Sequence, residues 1–191
     1  MSYNEVYNRI NAQKYAESYA LTPNIKEYPY YKNNDCTNFV SQTLHAGGLK
    51  MEGNNWKSSD SWFCNTNNYK ELKKVSLTFR SADYFLKYWG NYKGSGQNTA
   101  YYFFLLKPQE FIINFNQIYN MLEIGDVIQY GNPKPYHSQI VHNKIFNPLI
   151  GKHDLYMAQH SSNKLNISLY NYVIQLLKKE NPFIFIYKIK A

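Results

Sequence analysis

Two hydrophobic rhythms divide the chain. In the first half apolar residues recur at helical steps of three and four, and from about residue 122 they alternate as in strands. A first helix is predicted from a capping box at Ser2 and Glu5, with a stripe of Val6, Ile10, Ala12, Tyr15, Ala16, Tyr19 and Ala20 running to about Leu21. Thr22-Pro23-Asn24 ends it, and Tyr28-Pro29-Tyr30-Tyr31 is an extended approach, because the residue before proline is pushed out of the helical region. A short helix follows, with Cys36 in its first turn and two glycines at its end. Asn33, Asn34 and Asp35 are helix-capping types before it, and Gly47 or Gly48 suits the left-handed residue that closes it. Cys36, Phe39, Val40, Thr43 and Leu44 make its buried stripe.

The middle of the chain is less regular. Residues 51–68 read as an ordered loop carrying Trp56 and Trp62, which either pack onto the domain or line a cleft. Phe79, Ala82, Phe85, Leu86 and Trp89 predict one helix over 78–89, followed by a loop around Gly94-Ser95-Gly96. A short apolar stretch spans 100–106, and 111–121 is a strand or a helix.

Then β character takes over. Gly125-Asp126 turns into a strand at 127–130, and GNPKPY is a turn cluster. A strand beginning at His137 reverses near Pro148 and Gly151, and 155–160 returns antiparallel, which brings His160 near His137. A helix over 168–178 and a strand over 183–190 complete the chain. No repeat or linker divides it. The reading is one α+β domain over 1–191, with a variable insertion at about 50–120.

Composition narrows the chemistry. The 191 residues are 44% hydrophobic, enough for a core, and their 20 Tyr and 11 Phe suit a cleft that binds peptides or sugars. A formal charge of +8 admits nucleic acid or an anionic polymer as partner. The lysines are scattered, however, with no basic helix or RNA-binding signature, so no nucleic acid is expected. Two cysteines, Cys36 and Cys64, do not make a disulfide scaffold, and both are expected as free thiols. No Cys or His pair has zinc-finger spacing, so no metal or other cofactor is expected. The N-terminal stretch has no apolar signal core and no run reaches membrane-span length, which leaves localisation open.

Cys36 starts a helix, where free N–H groups and the dipole stabilise a thiolate. A cysteine hydrolase also needs an imidazole and a group that orients it. His137 follows a Pro-rich turn and can face a cleft edge; His160, or Asn163 just beyond, could orient it. His45, His142 and His153 fit less well. The bland alternative is a core cysteine with satisfied histidines.

The run DCTNFVSQTLHAGG closely resembles the signature of the putative amidase domain family of Gram-positive bacteria, relatives of the NlpC/P60 and CHAP cysteine peptidases. KYAESYA, Tyr28-Pro29-Tyr30, IGDVIQY, HSQIV and QHSSN match in the same order, while residues 70–117 show no family landmark. The resemblance implies a papain-like, NlpC/P60-type α+β fold, with N-terminal helices and a nucleophile helix packed on a C-terminal antiparallel sheet. It implies Cys36 as nucleophile, His137 as general base and acid, and His160 as orienter. The Cys36 N–H would contribute to the oxyanion hole, with Tyr28, Asp35 and Asn38 as support. Trp56, Trp62, Tyr136 and Asn163 are candidate substrate contacts. The implied activity is cleavage of an amide bond through an acyl-enzyme, with a peptide or peptidoglycan-like substrate. An acyl transferase or deamidase effector using the same residues, and a non-catalytic glycan- or peptide-binding module, are the alternatives.

Overall fold

The computed structural model describes residues 7–90 and 99–190. The capping box at Ser2 and Glu5, Val6 and the Gly94-Ser95-Gly96 loop lie outside them. Helix α1 spans Arg9–Tyr19 and is capped by Asn8, whose side chain accepts from the Asn11 N–H at 3.0 Å. Ala12, Ala16 and Ala20 are buried at four-residue steps, whereas Ile10 is 63% exposed and lies off the stripe assigned to it. Tyr7 and Arg9 clamp this end of the molecule. The Tyr7 hydroxyl donates to the Gly125 carbonyl, and Arg9 donates to the Ile124 and Ile189 carbonyls and pairs with buried Asp126 at 2.9 Å.

Helix α2, Cys36–Ala46, is buried on every side from Cys36 to Leu44, not along one stripe. Its polar residues are therefore hydrogen-bonded, as burial demands. Ser41 accepts from Trp62, Gln42 accepts from Tyr15, and Thr43 donates to the Phe39 carbonyl. At the C-terminus Gly48 takes φ +97°, and its N–H and that of Leu49 reach back to the His45 and Leu44 carbonyls.

The helix expected over 78–89 is two helices, α3 (Leu77–Arg80) and α4 (Ala82–Trp89), because Ser81 between them is extended. Its apolar stripe is buried as expected. Strand β1 is Tyr102–Leu106, and 111–121 lies within two helices, α5 (Pro108–Ile113) and α6 (Phe115–Met121). Strands β2 (Val127–Gly131), β3 (Pro135–Asn147), β4 (Lys152–Gln159) and β5 (Lys164–Ser168) follow, then α7 (Leu169–Lys179) and β6 (Phe183–Lys188). Strand β5 was not expected; its KLNIS lacks a run of branched or aromatic residues. The strands form one antiparallel sheet in the order β1-β6-β2-β3-β4-β5.

The sheet carries helices on both faces. Ile140 and Ala158 belong to the core shared with α1, α2 and α4, while Val141 and Met157 belong to the one shared with α5, α6 and α7. This is the period-two alternation of strands. The architecture is α+β. Among the described residues no helix is long and apolar enough to cross a membrane.

Trp62 is a core residue, fully buried against Phe79, Tyr88 and Trp89. Trp62→Ala is expected to lower stability by about 3–5 kcal/mol, as for large buried aromatics generally. Urea denaturation checks this, and a midpoint close to wild type would contradict the packing.

Candidate active site

Cys36 is the first residue of α2, so its N–H and the next two have no acceptor within the helix. The Phe39 N–H is the first bonded back, to the Asp35 carbonyl at 2.9 Å. Asp35 does not cap the helix with its side chain as its residue type predicted. Its carboxylate instead accepts from the Tyr31 N–H at 3.0 Å, from Asn38 Nδ2 at 2.9 Å, and faces His160 Nδ1 at 2.5 Å. The Asp35 N–H donates to Ser161 Oγ at 2.8 Å. Asn38 also donates to the Pro29 carbonyl at 2.7 Å. Asp35 and Asn38 thus tie the approach segment, the helix start and the end of β4 together.

His137, near the start of β3, lies close enough to the Cys36 thiol for its hydrogen-bonding group and charge to act on it. Its Nε2 faces Gln159 Oε1 at 2.9 Å. An amide oxygen only accepts, so Nε2 carries the hydrogen and Nδ1 is left for the sulfur. Gln159 is itself fixed: its Oε1 also accepts from Gln139 at 2.7 Å, and its Nε2 donates to Ser162. The Tyr130 hydroxyl in turn donates to Gln139 at 2.6 Å. Thr37 and Ser138 share a 2.8 Å hydrogen bond beside the thiol.

These contacts polarise the pair. Burial is the largest single influence on Cys36 and raises its pKa. Acting together, the His137 hydrogen bond and charge, the Ser138 N–H and the Thr37 hydroxyl outweigh it and lower the thiol below its ordinary value. For His137, burial lowers the pKa, but the Cys36 and Gln159 contacts prevail and raise it. Both shifts favour thiolate and imidazolium over thiol and imidazole.

His160 does not reach this pair. It is fully buried, stacked on Phe39 at 4.1 Å, with Nδ1 on Asp35 and Nε2 on the Tyr19 carbonyl at 2.7 Å. Strand alternation explains this. His160 shares the α2 side of the sheet with Ala158, whereas Gln159 shares the α7 side with Met157. The orienting contact falls to Gln159, one residue before the position assigned from the sequence. Asn163 reaches instead toward the Leu21 carbonyl. His45 meets the Leu49 carbonyl, His142 meets Glu17, and His153 lies beside Tyr119.

Two clefts meet at the pair. One, of about 840 Å³, is lined by Tyr30, Tyr31, Cys36, Arg80, Asp83 and Tyr136, among others. The second, of about 560 Å³, is lined by His137, Gln159, Lys164, Tyr172 and Gln175, again with Tyr136. Tyr136, 50% exposed and donating to Glu180, is the expected substrate contact found on both. Tyr28 is buried beside Phe79 and lines neither cleft, whereas Tyr30 and Tyr31 line the larger one. Trp56, half-buried beneath Lys57, also lines neither. Cys64 is a free thiol like Cys36, but burial pushes its pKa up to about 11. Among the described residues no group of three or more His, Cys, Asp or Glu side chains is arranged to hold a metal ion.

The family described as Putative amidase domain matches residues 6–186, and the chain belongs to that family. The chain is also 33% identical over 170 residues to the uncharacterized protein YjcM of Bacillus subtilis (strain 168), covering 84% of this chain and 32% of YjcM. It is 45% identical over 58 residues to the uncharacterized protein YhbB of the same organism, covering 29% of this chain and 17% of YhbB. The chain therefore spans about a third or less of the length of these relatives. No solved structure matches it significantly.

Asp35→Ala removes the acceptor for three donors, two of them on buried side chains. The expected loss is at least about 2 kcal/mol, the scale of an unsatisfied buried polar group. Urea unfolding measures it, and an unchanged midpoint would contradict the tie between α2 and β4.

Proposed function

We propose that the chain is a cysteine amidase or peptidase with a papain-like arrangement, akin to the NlpC/P60 and CHAP enzymes, acting on an amide bond of a bacterial wall peptide or related peptide. The observation that carries this reading is the Cys36–His137–Gln159 relay at the junction of two clefts. A helix-borne thiol, an imidazole on the adjoining strand and an orienting amide on the next strand are the parts that acyl transfer through a thioester needs.

The Cys36 thiolate attacks the carbonyl carbon, and the oxyanion forms against the N–H groups of the first turn of α2. As the carbon–nitrogen bond breaks, His137 gives its Nδ1 proton to the departing amine. Water then enters, loses a proton to His137 and attacks the thioester, which releases a carboxylic acid and returns the thiol. The acid that protonates the amine must touch it. The leaving amine therefore belongs in the cleft lined by His137, and the acyl portion in the cleft lined by Cys36. Gln159 acts through His137 as a positioning residue.

The test is incubation with p-nitrophenyl acetate, read by intact-protein mass and peptide mapping. Wild type is expected to accumulate an acetyl group on Cys36, and Cys36→Ala none. His137→Ala should lose on the order of 10³-fold or more in acylation rate, as when a catalytic base is removed elsewhere. Gln159→Ala should lose less. It should also move the alkaline limb of the pH profile to lower pH, because the contact that favours imidazolium is gone. Acylation that survives Cys36→Ala, or is spread over lysines, would overturn the mechanism.

A further inference from the structure

We propose that a buried hydrogen-bond chain, its polarity set at Gln129, makes the Thr37 hydroxyl a donor to the Cys36 sulfur; this rests on the assignment of Cys36 as nucleophile. The chain begins at Tyr187 on β6, whose hydroxyl donates to Gln129 Oε1 on β2 at 2.7 Å. Gln129 Nε2 meets the Ala82 carbonyl at 3.2 Å and Ser138 Oγ at 2.8 Å. Ser138 stands directly opposite Gln129 in the β2–β3 register, and its Oγ lies 2.8 Å from Thr37 Oγ1. Thr37 Oγ1 in turn lies 3.8 Å from Cys36 Sγ. Tyr187, Gln129, Ser138 and Thr37 are all fully buried, so water does not complete their hydrogen bonds from the surface.

Chemistry gives each hydrogen its direction. A carbonyl only accepts, so the Gln129 atom against Ala82 is the amide nitrogen. An amide nitrogen only donates, so Ser138 accepts from it. The single Ser138 hydrogen then has one acceptor among the described residues, Thr37 Oγ1. The Thr37 hydrogen is left for the sulfur. In the reverse order, Thr37 to Ser138, the Ser138 hydrogen would be buried without a partner, which is costly. The neutral thiol form therefore has no better use for the Thr37 hydrogen. On ionisation that hydrogen gains a charged acceptor and gives up no other bond, which favours the thiolate. The thiol proton itself passes to His137, and none moves along the chain. Burial pushes the Tyr187 phenol well above its ordinary range and keeps it a donor.

The experiment follows Cys36 alkylation by iodoacetamide against pH, read by peptide mass spectrometry. Thr37→Val keeps the shape and removes the hydrogen. Its rate below the wild-type midpoint should fall about tenfold, the factor a charge-assisted hydrogen bond commonly carries. Thr37→Ser should restore the wild-type profile. Gln129→Glu offers Ser138 an acceptor, so Thr37 is free to donate to Ser138, and ionisation must then break that bond. The low-pH rate should fall in Gln129→Glu and stay near wild type in Gln129→Met, which removes the donor without adding an acceptor. A merely structural role would make the two alike. Combined with Thr37→Val, Gln129→Glu should cost less than it does alone, which separates redirection from any charge the carboxyl brings. Lys32, Arg80 and Asp83 of the larger cleft, paired Asp35 and His160, and Tyr172 on α7 stay the same in every variant, as does His137. Should Gln129→Glu not fold, Ser138→Ala takes its place: it removes the competing acceptor and should keep the wild-type rate. An unchanged profile in Thr37→Val, equal falls in Gln129→Glu and Gln129→Met, or a tenfold fall in Ser138→Ala overturns the chain alone. A wild-type Cys36 that reacts no faster than a simple thiol overturns both the chain and the nucleophile assignment.

Discussion

The structure depends on how the start of one buried helix is tied to the end of a strand more than a hundred residues away. Asp35 makes that tie. Its N–H donates to Ser161, and its carboxylate gathers His160, Tyr31 and Asn38 at the point where α2 begins. Those contacts leave the first-turn N–H groups of α2 free beside the thiol. Cys36 thus stands where backbone donors are unsatisfied and His137 can reach it. Removing Asp35 would cost more than one hydrogen bond, since the same oxygens hold the approach segment, the helix and β4.

The sheet does a second job by sorting neighbouring residues onto opposite faces. On β3 and β4 a step of one residue exchanges the core beneath α2 for the core beneath α7. Hence Gln159 orients His137, and adjacent His160 anchors Asp35 on the other side. One Gln-His pair of residues serves two networks: the first sets the imidazole, the second sets the helix that bears the thiol.

Much of this was legible in the chain. Cys36 between polar residues and a paired-glycine stop announced its helix, Gly48 indeed takes the left-handed conformation, and the alternation after residue 122 announced β2, β3 and β4. The orienting residue was not. Histidine is the more familiar chemical signal, so His160 drew attention, although register and alternation favoured Gln159. Trp62 and Tyr28 were equally ambiguous, because an aromatic ring suits a cleft and a core alike. Only their packing against Phe79 distinguishes the two.

The central claim is that Cys36 and His137 form one ionising pair. The most direct measurement is the rate of Cys36 alkylation by iodoacetamide between pH 5 and 9, in wild type and in His137→Ala, followed by peptide mass spectrometry. The thiol pKa is lowered and that of His137 raised, so the thiolate should persist below the ordinary thiol range while the imidazole stays protonated beside it. Wild-type Cys36 should therefore react rapidly well below pH 8 and slow only as pH falls through its lowered pKa. In His137→Ala, with the stabilising partner gone and burial left to raise the pKa, that low-pH reactivity should vanish. A wild-type profile that follows a simple thiol, or one that His137→Ala leaves unmoved, would contradict the pair.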